Sequence, residues 1–255
     1  MPSILIVGAN RGLGAALAKL YAARGWTVYG TTRSHEKPDG FPDDVHWITS
    51  TDLMRSDVGT ALATHLKSLS TGPLDLVIIS AGVFSTEDFE EGPKWDDEVR
   101  MYTTSSIAPV FIVQQLAKGS LLQKGSKVVL ISSEAGSIAL RTGAEENYAH
   151  HASKAALNMV GKLLSYDLKG DGIIVSLVHP GFMRTEMTRG VGFDKYWDKF
   201  HAVTPEEAAK SLMAWAEELD MSKSGQFWAP RGGKDIGTAE EVLGKDLATP
   251  LELPW

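Results

Sequence analysis

The chain has 255 residues, 43% hydrophobic and 22% charged, with a net charge of −7 and no cysteine. These values fit one α/β domain over residues 1–255 that buries its own core, and they exclude disulfides, thiolate metal sites and a cysteine nucleophile. The acidic balance argues against a nucleic-acid partner, no apolar run nears the roughly 18 residues of a membrane span, and no basic leader precedes the first apolar run, so a cytoplasmic protein is expected.

Short apolar runs alternate with helical stretches along the chain, the pattern of a doubly wound parallel sheet with helices on both faces. Residues 4–7 read as a buried strand and 13–24 as the helix after it. Strands follow at 27–31 and 45–49, then a helix at 58–69. The fourth strand, 74–79, is almost continuously apolar, as a strand covered on both faces should be. A long helix is predicted over 96–118, a strand over 127–132, a helix over 148–168 and a strand over 173–178. A helix at 206–219 and a seventh strand at 225–229 complete the pattern, and the segment from Arg231 to the end reads as a surface-wrapping extension.

The first strand-to-helix turn is I-L-I-V-G-A-N-R-G-L-G, which sets Gly8, Gly12 and Gly14 between a buried strand and a helix. Such glycines permit a tight turn, close backbone approach and close helix packing, while the helix N-terminus offers free N–H groups to a pyrophosphate. Asn10, Arg11 and Leu13 fill the turn. At the end of the second strand stands Thr31-Thr32-Arg33-Ser34, with no acid before Glu36. An acid there favours NAD through its ribose hydroxyl, whereas a basic residue favours a 2′-phosphate. Arg33, assisted by Arg11, therefore points to NADP(H).

Further motifs follow in order: Asp52-Leu53, I-S-A-G ending at Gly82, V-V-L-I-S-S-E-A-G ending at Gly136, H-H-A-S-K-A-A-L-N from His150, and V-H-P-G-F-M-R-T-E-M from Val178. Together they resemble the short-chain dehydrogenase/reductase family over nearly the whole chain. The resemblance implies a Rossmann fold and an oxidoreductase. It implies that Asp52 and Leu53 border the adenine, that Ser80, Ala81 and Gly82 line the cofactor ribose, and that Pro180, Gly181, Met183 and Thr185 hold the nicotinamide carboxamide. It implies catalytic roles for Ser133 and for Lys154, the latter also binding the nicotinamide ribose.

The departures from the family pattern are informative. The family's tyrosine stands four residues before the lysine, one helical turn away on the same face; here that residue is His150. Tyr148 lies six residues before Lys154, roughly 240° around the helix, and should point elsewhere. The family's asparagine position is matched by Ser105. A histidine beside Lys154 should be mostly neutral, a competent base and a poor acid. Three readings stay open: an NADP-dependent reductase of a small hydrophobic carbonyl or imine with His150 as acid/base; non-redox chemistry such as dehydration, isomerisation or cyclisation; or a catalytically inactive nucleotide-binding protein.

Between Thr185 and Pro205, Phe193, Tyr196, Trp197 and Phe200 fall at spacings of three and four residues, one face of a short helix. Phe193, Trp197 and Phe84 are candidate substrate contacts, with Gly190 and Gly192 as hinges. No metal is expected, because His150 and His151 diverge by about 100° on a helix. The long helices at 96–118 and 148–168 resemble the family's dimer-forming helices, which implies a homodimer or homotetramer.

Overall fold

The computed structural model describes residues 1–143 and 147–255. Among them, eight strands form one sheet: β1 (Ser3–Val7), β2 (Thr27–Thr31), β3 (His46–Ile48), β4 (Leu76–Ile79), β5 (Lys127–Ile131), β6 (Ile174–Val178), β7 (Phe227–Ala229) and β8 (Leu251–Glu252). Their order is β3-β2-β1-β4-β5-β6-β7-β8, parallel up to β7, with β8 antiparallel on β7. The doubly wound parallel sheet expected from the apolar pattern is present, with one strand more than the seven read from the sequence.

Side-chain alternation splits the core in two. Leu5, Val7, Val77, Ile79, Val128 and Leu130 pack under α2 (Val58–Ser68), α4 (Ala108–Lys118) and α5 (Tyr148–Asp167). Ile4, Ile6, Leu76, Ile78 and Val129 pack under α1 (Gly12–Ala23) and α7 (Pro205–Glu217). Each fully buried aliphatic side chain contributes about 1.5–3 kcal/mol, which fixes both helix layers on the strands. A capping box between Thr204 and Glu207 starts α7, and Pro205 occupies its first turn.

β1 pairs with β2 on one side and β4 on the other. The chain leaves these two central strands in opposite directions, which opens a crevice at their C-terminal ends. That crevice is where the glycine turn lies.

Three elements differ from the sequence reading. The helix predicted over 96–118 is broken into α3 (Trp95–Tyr102), a π-helical turn at Thr103–Ile107, and α4. The π turn adds a residue to the helical repeat and resets which face each side chain occupies. The aromatic segment forms α6 (Glu186–Gly190) and a 3₁₀ turn at Phe193–Tyr196 in place of one short helix. The segment after Arg231 forms α8 (Ala239–Leu243) and β8, and buries Ile236, Ala239, Leu251 and Leu253. No helix among the described residues is long and apolar enough to cross a membrane.

Candidate active site

A cleft of about 1350 Å³ runs across the C-terminal ends of the strands. It exceeds the usual 300–1000 Å³ of a small-molecule pocket, leaving room for a dinucleotide and a second ligand. Gly8, Asn10, Arg11, Gly12 and Leu13 line one end. A Cβ on Gly8 would lie 2.8 Å from Ala81 Cα, and one on Gly14 would lie 2.0 Å from Gly8 O. Only glycine fits either place, and Gly14 acts by helix packing, outside the cleft lining. The N-terminus of α1 has no side-chain cap. Its first-turn amides are therefore available to an anion, which is the fit a pyrophosphate requires.

The same end of the cleft carries Arg33, Asp52 and Leu53. Thr31 at the end of β2 accepts a hydrogen bond from the Gly8 amide at 2.9 Å, tying the glycine turn to its neighbouring strand. Arg33 is exposed at the rim, and Arg11 reaches Glu186 across the mouth at 3.6 Å. Ser80, Ala81 and Gly82 line the middle, where the Ser80 and Ala81 amides both donate to Val7 O at 2.9 Å.

The other end holds Ser133, His150 and Lys154. Lys154 is buried and donates to Ile131 O at 2.8 Å, pinning α5 to the end of β5. Burial lowers its pKa to about 8. Ser132 donates to Asn158 at 2.6 Å, and Asn158 donates to Gly136 O at 3.1 Å. These bonds press the strap that carries Ser133 onto α5. Ser133 caps a short turn by accepting from the Ala135 amide at 3.2 Å, and its side chain lines the cleft.

His150 stands one turn before Lys154 on α5 and lines the cleft with it. Its ring packs on Phe84, with centroids 4.3 Å apart at 37°. Its Nδ1 is buried and has no hydrogen-bond partner in the protein. Burial, followed by the charges of Lys154, His151 and Arg141, pushes its pKa down to about 3. The imidazole is therefore neutral at pH 7, able to donate one hydrogen bond and accept another. His151 also lines the cleft, its ring at 87° to that of His150 and its Nδ1 2.8 Å from Asn147 O. Tyr148 is exposed beside Phe89, outside the cleft.

The start of α5 is held from outside the helix. The Glu87 carboxylate accepts from the Ala149 amide at 2.8 Å, and Glu87 N–H donates to Asn147 Oδ1 at 3.3 Å. Glu98 hydrogen-bonds to Glu87; that bond, burial and the like charge raise its pKa to about 7.

Two residues read as site residues lie elsewhere. Ser105 is buried and does not line the cleft; Thr104 does. Both lie in the π turn at Thr103–Ile107, where consecutive side chains point in different directions. Trp197 also lies outside the lining, and its Nε1 donates to Thr188 Oγ1 at 3.2 Å. In a 3₁₀ turn, positions three apart eclipse, so Phe193 and Tyr196 share the cleft face and Trp197 is rotated off it. Phe193 meets Phe84 edge-on at 5.4 Å, and Phe200 lines the same wall. Pro180, Gly181, Met183 and Thr185 form the opposite lip.

Several other lining residues carry little local signal in the sequence. Arg141, ion-paired with Glu134, enters from a loop and borders His150. Arg100 projects from α3, and His179 and Asp235 come together across 56 residues of chain. No local spacing signals such contacts; a histidine beside P-G in the V-H-P-G motif was the one hint.

Comparison with known proteins is consistent with this geometry. Residues 2–195 match the family described as short chain dehydrogenase. An oxidoreductase of Saccharomyces cerevisiae with no assigned activity is 30% identical, over 91% of this chain and 96% of its own. The 1-hydroxy-2-glutathionyl-2-methyl-3-butene dehydrogenase of Rhodococcus sp. is 29% identical, over 89% of this chain and 96% of its own. Among solved structures, a short-chain dehydrogenase/reductase from Burkholderia multivorans with bound NADP is 26% identical at a TM-score of 0.72, covering 89% of this chain and 96% of that one. Matched over most of its length by the family model, with the glycine turn and the lysine helix facing one cleft, this chain belongs to the short-chain dehydrogenase family.

Proposed function

We propose that the protein is an NADP(H)-dependent oxidoreductase that reduces a small hydrophobic carbonyl or imine, with Ser133, His150 and Lys154 at the reacting end of the cleft. The observation that carries this reading is the convergence of one neutral imidazole, one buried ammonium and one hydroxyl on a cleft whose far end is an anion-binding glycine turn. The NADP bound to the Burkholderia relative supports the cofactor assignment. So does Arg33 at the rim, a basic group suited to a 2′-phosphate.

NADPH held in this cleft would supply a hydride to the substrate carbon; the proton that completes the alcohol or amine would be carried by a protonated imine itself or be taken up from solvent through the cleft. Ser133 and the His150 N–H donate hydrogen bonds to the oxygen or nitrogen on which negative charge develops, as preorganised donors. Burial, with the charge of Lys154 second, keeps the imidazole neutral, and Lys154, by the family resemblance, holds the nicotinamide ribose. Phe84, Phe193, Tyr196 and Phe200 supply an apolar wall suited to a hydrophobic substrate. A neutral imidazole is a weak proton donor, which favours an imine or activated carbonyl over a simple ketone. The same property favours a second reading, proton abstraction without redox change.

Incubation with NADPH and a panel of hydrophobic aldehydes, activated ketones and cyclic imines tests the choice. Loss of the reduced nicotinamide absorbance supports the reductase. Substrate conversion with that absorbance unchanged supports the second reading and overturns the first.

The exposed apolar residues Val110 and Phe111 of α4 and Met159, Leu163 and Tyr166 of α5 favour a homo-oligomer built on these helices. Sedimentation analysis with Leu163→Glu tests it: a shift to monomer is expected, and a wild-type monomer contradicts it.

A further inference from the structure

His179 and Asp235 are buried in the wall of the cleft, yet neither belongs to the group of Ser133, His150 and Lys154. His179 follows β6, and its Nδ1 accepts a hydrogen bond from the Glu134 backbone N–H at 3.1 Å. A backbone amide can only donate, so Nδ1 carries no proton and Nε2 holds the ring N–H. Nε2 faces Asp235 Oδ2 at 3.8 Å, a polar contact longer than a hydrogen bond. The same carboxylate oxygen accepts from the Phe182 amide at 2.6 Å. Gly181 lies between, with φ +103, and a Cβ there would sit 2.7 Å from Oδ2. The carboxylate thus occupies the place that any other residue's side chain would take.

These contacts join three separate stretches of chain: the strap that carries Ser133, the Pro180–Gly181–Phe182 turn, and the segment after Arg231. We propose that His179 and Asp235 are positioning residues that hold the strap and the turn at a fixed spacing, so that the C-terminal segment sets where the nicotinamide half of the cofactor lies. This rests on the NADP(H) reading above. Asp235 holds the turn through a charge-assisted bond to a backbone amide, and such bonds are worth more than neutral ones. His179 holds the strap one residue beyond Ser133, so its loss moves a hydroxyl aimed at the reacting oxygen.

The test compares binding of NADPH with binding of 2′,5′-ADP, which carries the adenine half and the 2′-phosphate but no nicotinamide. Asp235→Ala and His179→Leu should weaken NADPH by about tenfold or more and leave 2′,5′-ADP within about twofold. Asp235→Asn and His179→Asn retain an acceptor for the Phe182 and Glu134 amides and should restore most NADPH binding. Variants that weaken both ligands alike, or neither, overturn the proposal, because general loosening of the fold acts on both halves. If Asp235→Ala does not fold, the His179→Leu and His179→Asn pair decides the matter by the same ratio. Nitrogen NMR of the wild type gives a second reading that needs no activity: His179 Nδ1 should be unprotonated, and a protonated Nδ1 contradicts the clamp. Wild-type protein that binds both ligands yet reduces no carbonyl or imine overturns only the redox reading. Wild-type protein that binds neither overturns both.

Discussion

The two ends of the cleft are built by different means. The glycine end is made of backbone: amides of α1, close strand-to-turn approaches, and missing Cβ atoms at Gly8 and Gly14. The reacting end is made of side chains brought from α5, the Ser133 strap, the loop after β4 and the C-terminal segment. A backbone site tolerates little change in shape and is nearly indifferent to titration. A side-chain site is tuned by burial and charge, and can change its chemistry through one substitution while the fold stays the same. Under the proposed function, His150 in the position of the family's tyrosine is such a substitution.

The largest effect should come from breaking the backbone end. Gly14→Val puts side-chain atoms where Gly8 O already lies, the Cβ alone approaching to 2.0 Å. Overpacking of this kind costs about 1–3 kcal/mol or more, and displaces the amides that would meet the pyrophosphate. A fall of at least about a hundredfold in NADPH affinity is expected by fluorescence titration; retained affinity would sink the backbone account of this end.

Arg33→Asp sharpens the comparison by removing a side-chain contribution from that same end. NADPH should weaken by about 10–100-fold, the worth of a charge-assisted hydrogen bond, with NADH within about twofold. Equal weakening of both cofactors would count against a 2′-phosphate role.

At the reacting end, Phe84→Ala should admit water to the His150 ring, which Phe84 covers at 4.3 Å. Burial is the largest cause of the depressed pKa of about 3, so the pKa should rise toward the ordinary value near 6.5. A proton NMR titration reads it directly, and an unmoved pKa would show that charge, not desolvation, sets it.

The smallest effect concerns the start of α5. Glu98 is raised to about 7 beside Glu87, so the folded protein retains a proton that the unfolded chain releases. Its contribution to stability is present below the usual carboxylate range and is lost as pH rises through about 7. The wild-type Tm should therefore fall slightly over that window, and Glu98→Gln should flatten the slope. An identical slope in the variant would exclude Glu98 as its source.

The same division explains what could be read from the sequence. Strand runs such as Leu76–Ile79 announce themselves because both faces of the sheet are covered. The glycine turn announces itself because its chemistry needs fixed spacing over seven residues, Gly8 to Gly14. Trp197 falls off the cleft because regular helical spacing gives way to a 3₁₀ turn, and Ser105, matched to the family's asparagine position, sits in a π turn whose cleft-lining residue is Thr104. Arg141 and Asp235 were invisible because their site contacts depend on tertiary packing. The segment after Arg231 reads as polar and glycine-rich, yet it supplies β8 and Asp235, since a few apolar residues at Ile236, Leu251 and Leu253 suffice to dock it.

The central claim is that the His150 imidazole acts on the substrate at the nicotinamide end of the cleft. Single-turnover oxidation of NADPH by wild type and His150→Ala, at matched cofactor occupancy and with a substrate found active, tests it most directly. The account predicts a rate at least about a hundredfold lower in the variant, the usual worth of a positioned acid/base, with NADPH affinity unchanged. Equal rates in the two proteins would contradict it.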